Sequence, residues 1–384
     1  MLSTKLSQIE PSATLAITAK AKQMKKEGKD VVAFGAGEPD FDTPDNIKQA
    51  AIKAINDGFT KYTPASGINE LKDAIVEKFR KDNGIEYRRE NVMVSCGAKH
   101  ILYNATLATV NEGDEVILPS PYWVTFIEQI RLAGGKPVVV DTGSGFKFTA
   151  AMFKKHVTGR TKLLIFNSPN NPTGAIVDRD ELEKIAKIAV ENKIYVISDE
   201  CYEKLIYDGN EHVSIASLNN SIRELTITVN AVSKAYSMTG WRIGYCAGPV
   251  DLIKGMGGLQ DHCTSNPTSI AQMAALEALT GPQDSVGVMA KAFDERRKYM
   301  VMRLNRMKGI TCNTPEGAFY AFPDVSATGL SSAEFCARLL EQELVAAVPG
   351  AAFGDDKCIR LSYATSMKEI GRGMDRMEKF AANL

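Results

Sequence analysis

From Asn91 to Glu200 the chain alternates short apolar runs with longer helical patterns, and this alternation narrows the folds open to it more than any other feature. Asn91–Ser95, Glu115–Pro119, Lys136–Val140, Leu163–Phe166 and Ile194–Glu200 read as strands. Several are nearly continuous in apolar character, as strands buried on both faces are. Gly97-Ala98-Lys99-His100 opens a helical stretch through Val110, and Leu182, Ile185, Ala186 and Ala189 make an apolar stripe on a second helix. Asp178 and Glu181, three residues apart, predict a capping box at its start. Strand, helix and strand in turn build an α/β fold, a mostly parallel sheet between layers of helices. Beyond residue 285 the pattern changes to a long charged helix over Lys291–Met307, with Gly317–Tyr320 and Cys358–Ser362 as strands of a smaller domain. The expected division is an N-terminal segment over 1–45 that joins the small domain, a large domain over 46–285 and the small domain over 286–384.

In sheets of this kind ligands sit outside the carboxyl ends of the strands. The run Ile194–Glu200 delivers Asp199 to that edge, and Gly97 and Asn171 follow two other strands. Downstream, Ser233-Lys234-Ala235-Tyr236-Ser237-Met238-Thr239-Gly240-Trp241-Arg242-Ile243-Gly244 brackets a lysine with small and hydroxyl residues and sets an arginine eight positions on. A lysine amine forms a Schiff base with an aldehyde, and a guanidinium offers a planar fork of donors to a phosphate. Taken singly, Lys234 also reads as a solvated surface charge, Asp199 as a helix N-cap and Asn171 as the opener of an Asn-Pro turn. Together, an aspartate at a strand end, Tyr202 and such a lysine are the three groups that pyridoxal phosphate requires.

Composition closes off other classes. The 46 basic and 46 acidic residues leave no net charge, so nothing favours nucleic acid or an anionic membrane. Met1 to Lys26 has no signal-peptide apolar core, and no apolar run is long enough to span a bilayer. Seven cysteines without a C-x-x-C pair predict reduced thiols and a cytoplasmic protein. His100, His156, His212 and His262 are scattered, which predicts no metal site.

Gly35-Ala36-Gly37-Glu38-Pro39-Asp40-Phe41, Lys61-Tyr62, Pro121-Tyr122-Trp123, Ser168 to Gly174, Asp199-Glu200-Cys201-Tyr202, Ser233 to Gly244 and Arg360-Leu361-Ser362 follow one another over nearly the whole chain. In this set the chain resembles the class I pyridoxal phosphate-dependent aminotransferases, and among them the bacterial aspartate aminotransferase subgroup. The resemblance implies fold type I, with a mostly parallel seven-stranded sheet flanked by helices in the large domain and a smaller α+β domain. It also implies a homodimer with shared active sites, with the segment 1–45 in dimer contacts. Lys234 then holds pyridoxal 5'-phosphate and moves the proton of the substrate Cα. An ordinary lysine has a pKa of about 10.4, so the site must lower it. Asp199 pairs with the pyridine nitrogen, while Tyr202 and Asn171 bond the ring oxygen. The phosphate is held by the Gly97, Ala98 and Lys99 amides, Ser233, Arg242 and Tyr62 of the neighbouring subunit. Trp123 stacks on the ring face. Ala231 stands where the family often has a serine, so one phosphate contact is missing or replaced. Arg360 clamps the α-carboxylate, which Gly37 lets the backbone approach.

For the substrate, the resemblance implies that Lys99, with Ser12 and Thr14, receives a side-chain carboxylate. That points to aspartate as donor and 2-oxoglutarate as acceptor in a ping-pong exchange. Relatives that accept prephenate tend to carry a lysine where this chain has Glu10, and a carboxylate there repels a second acidic group. The alternatives are an aminotransferase of prephenate, aromatic or kynurenine specificity, a lyase or decarboxylase on the same fold, and a non-catalytic binding module. Arg360 argues against decarboxylation, because it holds the carboxylate near the ring plane, where its bond is not weakened.

Overall fold

A computed structural model describes residues 9–384. Its strands are β1 (Val32–Ala33), β2 (Val92–Ser95), β3 (Glu115–Ser120), β4 (Lys136–Asp141), β5 (Thr161–Asn167) and β6 (Tyr195–Asp199). They continue as β7 (Thr226–Ala231), β8 (Gly244–Ala247), β9 (Tyr320–Ala321), β10 (Val345–Ala346), β11 (Val348–Pro349) and β12 (Ile359–Ser362). Seven of them form the main sheet in the order β2-β8-β7-β6-β5-β3-β4. All pairs are parallel except those of β8, which runs against both β2 and β7.

The apolar strands bury both faces, and neighbouring residues serve opposite ones. Val116, Leu118, Leu163, Ile165 and Ile197 pack under the helix Ala98–Thr109 with Ile101 and Leu102. Ile117, Leu164 and Val196 pack on the other face against Leu182, Ile185, Ala186 and Ala189 of the helix Arg179–Asn192. Each such leucine or isoleucine contributes about 1.5–3 kcal/mol by leaving water. The capping box at Asp178 does not form. Asp178 makes no side-chain cap bond, and Glu181 instead accepts from the Ala150 amide at 2.7 Å and from Lys184.

β1 pairs with β10 in parallel, so the N-terminal segment joins the C-terminal part of the chain. There β11-β12-β9 makes an antiparallel sheet, packed through Phe293, Phe319, Phe335, Met374 and Phe380 against the helices Asp284–Leu304 and Met367–Ala382. The long charged helix therefore starts earlier than Lys291. The strand expected over Gly317–Tyr320 begins only at Tyr320, because Ala318 has a φ of 59° and interrupts extended backbone. Among the described residues no helix is long and apolar enough to cross a membrane, and all seven cysteines are free thiols.

Candidate active site

The carboxyl ends of β2, β5, β6 and β7 share one edge of the main sheet. Ser95 and Ala231 both register with Gly244, and Asn167 with Asp199. At this edge a cavity of about 410 Å³ opens, closed from above by Ser12, Thr14 and Gly37 of the N-terminal segment and by Tyr320 and Arg360. Ala98, Lys99, Trp123, Asn171, Asp199, Tyr202, Ser233, Lys234 and Arg242 line it too, as does Ala231. Gly97 does not line it, and its amide, expected among the phosphate donors, is instead turned back to the Ser95 carbonyl at 2.7 Å, so the expectation is corrected to the next two amides. Tyr62 is outside, 91% exposed, so within one chain it reaches nothing in the cavity.

Asp199 ends β6 fully inside the protein, its backbone carbonyl held by Asn167 Nδ2 at 2.8 Å and the Ser168 amide at 3.1 Å. Burial raises its pKa to about 6, partly offset by the Cys201 thiol and amide, while the charge of Glu200 adds a smaller push upward. Lys234 lies on the short helix Val232–Ala235 just past β7, and its amine donates to the Gly37 carbonyl. Its Nζ stands 5.8 Å from the Tyr202 ring centre and 5.6 Å from that of Phe319. Burial in this setting lowers its pKa to about 8.

Arg360 is buried on β12 yet bonds only neutral oxygens, Asn171 Oδ1 and the Gly35 carbonyl, each at 2.9 Å. Its Nε has no partner among the described residues. Its guanidinium lies over Tyr320, 4.4 Å from the ring centre. Arg242, at the outer rim, likewise bonds carbonyls, those of Thr239 at 2.9 Å and Cys96 at 3.5 Å. Two guanidiniums and an amine held by neutral acceptors leave positive charge for an anionic ligand to balance. Arg242 crosses Gly97 so closely that a Cβ there would lie 2.3 Å from Nη2, and Gly97 also takes a φ of 87°. Beside it the amides of Ala98 and Lys99, in the first turn of the helix, have no acceptor among the described residues. Lys99 Nζ stands 4.8 Å from the Trp123 ring centre, and Ser12 and Thr14 hydroxyls are 3.0 Å apart.

Sequence reasoning missed Tyr320, whose hydroxyl bonds that of Tyr202 at 3.0 Å and nears Gly37, where a Cβ would lie 2.9 Å from it. Its signal was the aromatic pair Phe319-Tyr320, which reads only as strand.

The residues fit pyridoxal 5'-phosphate. Asp199 is a carboxylate whose pKa burial raises, and a pyridinium beside it would supply a cation that favours its charged form. Lys234 offers an amine of lowered pKa, and the free first-turn amides with Arg242 form an anion cradle.

Comparisons with known proteins agree. The family model for aminotransferase class I and II matches residues 29–377. An aspartate aminotransferase of Bacillus sp. (strain YM-2) is 50% identical over 99% of this chain and 99% of its own length. An aspartate/prephenate aminotransferase of Cereibacter sphaeroides is 49% identical over 100% and 99%. The solved structure of Thermus thermophilus aspartate aminotransferase with maleate superposes with a TM-score of 0.95 at 43% identity, covering 99% of both chains.

Proposed function

Because the chain belongs to the class I and II aminotransferases, we propose that it transfers the amino group of L-aspartate to 2-oxoglutarate, with pyridoxal 5'-phosphate held at the sheet edge. When bound, that cofactor supplies an aldehyde for the amino group and a ring that accepts the electrons left on a deprotonated Cα. Lys234 Nζ would hold the cofactor through its aldehyde and, as a free amine, would carry the proton taken from the substrate Cα across to the former aldehyde carbon. A pKa of about 8 leaves a useful fraction of neutral amine near neutral pH. Asp199 keeps a proton on the pyridine nitrogen. The Ala98 and Lys99 amides, Ser233 and Arg242 bind the phosphate, and Trp123 covers the ring.

Arg360 binds the α-carboxylate through its planar fork, braced by Asn171 and Gly35, and so fixes the direction of the Cα–H bond. The Tyr202 hydroxyl, steadied by Tyr320, bonds the ring oxygen. The exposure of Tyr62 supports a homodimer in which it reaches the phosphate in the other subunit.

The observation that carries the choice of substrate is Lys99 in the same cavity as Ser12 and Thr14, opposite Arg360 in role. Two cationic groups suit a dicarboxylate, the chemistry of the maleate named with the Thermus structure. Lys99→Ala is expected to lower kcat/KM for aspartate roughly ten- to a hundredfold, since a charge-assisted hydrogen bond contributes about 1.5–3 kcal/mol. Phenylalanine, with no distal charge, should change little. If both donors fall by one factor, Lys99 serves the phosphate or the helix and the aspartate reading fails. The name of the Cereibacter relative favours prephenate as a second substrate. Against it, Glu10 lines a groove that adjoins Lys99, and its charge repels a further carboxylate, while Glu128 there is paired with Arg131 at 2.9 Å.

A further inference from the structure

Asp199 lines the cavity, but Glu200, next in the chain, does not. Glu200 is fully buried and accepts four bonds, from Ser198 and Ser214 at 2.8 Å, His212 Nε2 at 2.9 Å and Asn83 Nδ2 at 3.3 Å. Beside it Glu203 binds the amine of Lys78 and accepts from Asn83 at 2.7 Å, and Lys78 donates to Asn83 Oδ1 at 2.6 Å. Lys78 and Asn83 belong to the helix Asn69–Asn83, so one network joins that helix, the turn after β6 and the loop carrying His212. The His212 side chain is 8% exposed and that of Glu200 0%, so water screens neither.

The histidines are scattered in sequence, yet the fold brings His212 to two glutamates whose oxygens and ring nitrogen lie within 4.8 Å of one another. Lys78 already occupies Glu203, which makes this an internal charge cluster. The charged groups facing the imidazole are Glu200, Glu203 and Lys78. Asp82 lies one step out, 3.9 Å from Lys78 and 2.9 Å from Lys204, and the buried Tyr87 and Tyr245 lie near enough to feel the charges of Glu200 and Glu203.

Two glutamates and one lysine leave a buried negative charge unless His212 is an imidazolium. An unbalanced buried charge is costly, and a like charge beside a carboxylate holds protons on it. Burial opposes charging His212, but Glu200 and then Glu203 outweigh it and Lys78, so its pKa stands above the ordinary histidine value. Glu200 in turn pushes the pKa of Asp199 upward.

We propose that His212 is a positioning residue: as an imidazolium it cancels the charge of Glu200 and so keeps Asp199 the anion that a pyridinium nitrogen needs. The inference rests on the functional reading above. His212→Gln preserves an amide donor toward Glu200 and removes the charge, whereas the double variant Glu200→Gln/His212→Gln removes both charges.

At pH 5, below the Asp199 pKa of about 6, the single variant is expected to bind pyridoxal 5'-phosphate about tenfold more weakly in equilibrium ultrafiltration, the size of a one-unit pKa rise in Asp199. The gap should close toward pH 8, where Asp199 is ionised in both. The double variant should return to within about threefold of the unmodified protein, a coupling that a packing role does not produce. Wild-type affinity in His212→Gln at pH 5, or a double variant weaker than the single, overturns the proposal.

Should the variants fail to fold, the unmodified protein decides. Among its four imidazoles, followed by heteronuclear NMR, one is expected to titrate above the ordinary range. Four rings titrating at or below that range overturn the proposal. If the unmodified protein takes up no pyridoxal 5'-phosphate, it is the functional reading that fails, and the ring titration still judges the charge pair.

Discussion

Replacing Lys234 with alanine is expected to lower turnover of aspartate with 2-oxoglutarate by about 10³-fold or more, since a positioned base alone contributes roughly 10²–10⁴-fold. The fold should persist. Lys234 follows β7 on a four-residue helix, and its amine donates to the Gly37 carbonyl without anchoring another element. Its folded pKa, about 8, is below the ordinary lysine value. The unfolded chain therefore holds the proton to higher pH, stability rises with pH between those two values, and at neutral pH the charged amine opposes folding. Removing it should leave the melting temperature of the cofactor-free protein unchanged or raised. Steady-state rates and thermal unfolding, measured on one preparation, check both halves. A variant that keeps a tenth of the rate contradicts the lysine's role.

Arg360→Leu is expected to cut kcat/KM by about 10²- to 5 × 10³-fold for every α-amino acid donor, because losing one partner of a buried charge pair costs about 3–5 kcal/mol. Arg360→Lys should recover only part of this, as an ammonium lacks the planar fork that Asn171 and Gly35 hold in place. The loss should be equal for aspartate and alanine, unlike that of Lys99→Ala. Kinetics with the two donors distinguish the roles. A fall with aspartate alone would mean that Arg360 reads the side chain instead of the α-carboxylate.

The path of the main chain to this site is legible where apolar runs are long. Ile194–Glu200 announces β6 and the acid at its end, and Leu163–Phe166 announces β5. β7 and β8 are harder to see. Thr226–Ala231 interleaves threonines and an asparagine with its apolar residues, and Gly244–Ala247 is too short to show a pattern. That β8 runs antiparallel between β2 and β7 depends on pairing across about 150 residues of chain on one side, which no local signal carries.

Tertiary partners also override local signals. Glu181 leaves its own helix start for the Ala150 amide, and Ala318 breaks a strand pattern in a left-handed turn. Asp199, Lys234 and Arg242 stand out by residue type and spacing, whereas Arg360 is legible only through the family resemblance. Tyr320 does not, because an aromatic residue on a buried strand needs no function to explain it. The joining of His212 to Glu200 is equally silent, being a contact between a turn and a distant loop end. Tyr62, exposed and outside the cavity of its own chain, would take its proposed role only toward a second copy of the chain.

The most direct test is the visible spectrum of the purified protein. With pyridoxal 5'-phosphate bound it should be yellow, lose that colour when L-aspartate is added without an acceptor, and regain it when 2-oxoglutarate follows. A protein that stays colourless after incubation with pyridoxal 5'-phosphate, or a yellow one whose spectrum aspartate leaves unchanged, contradicts the account.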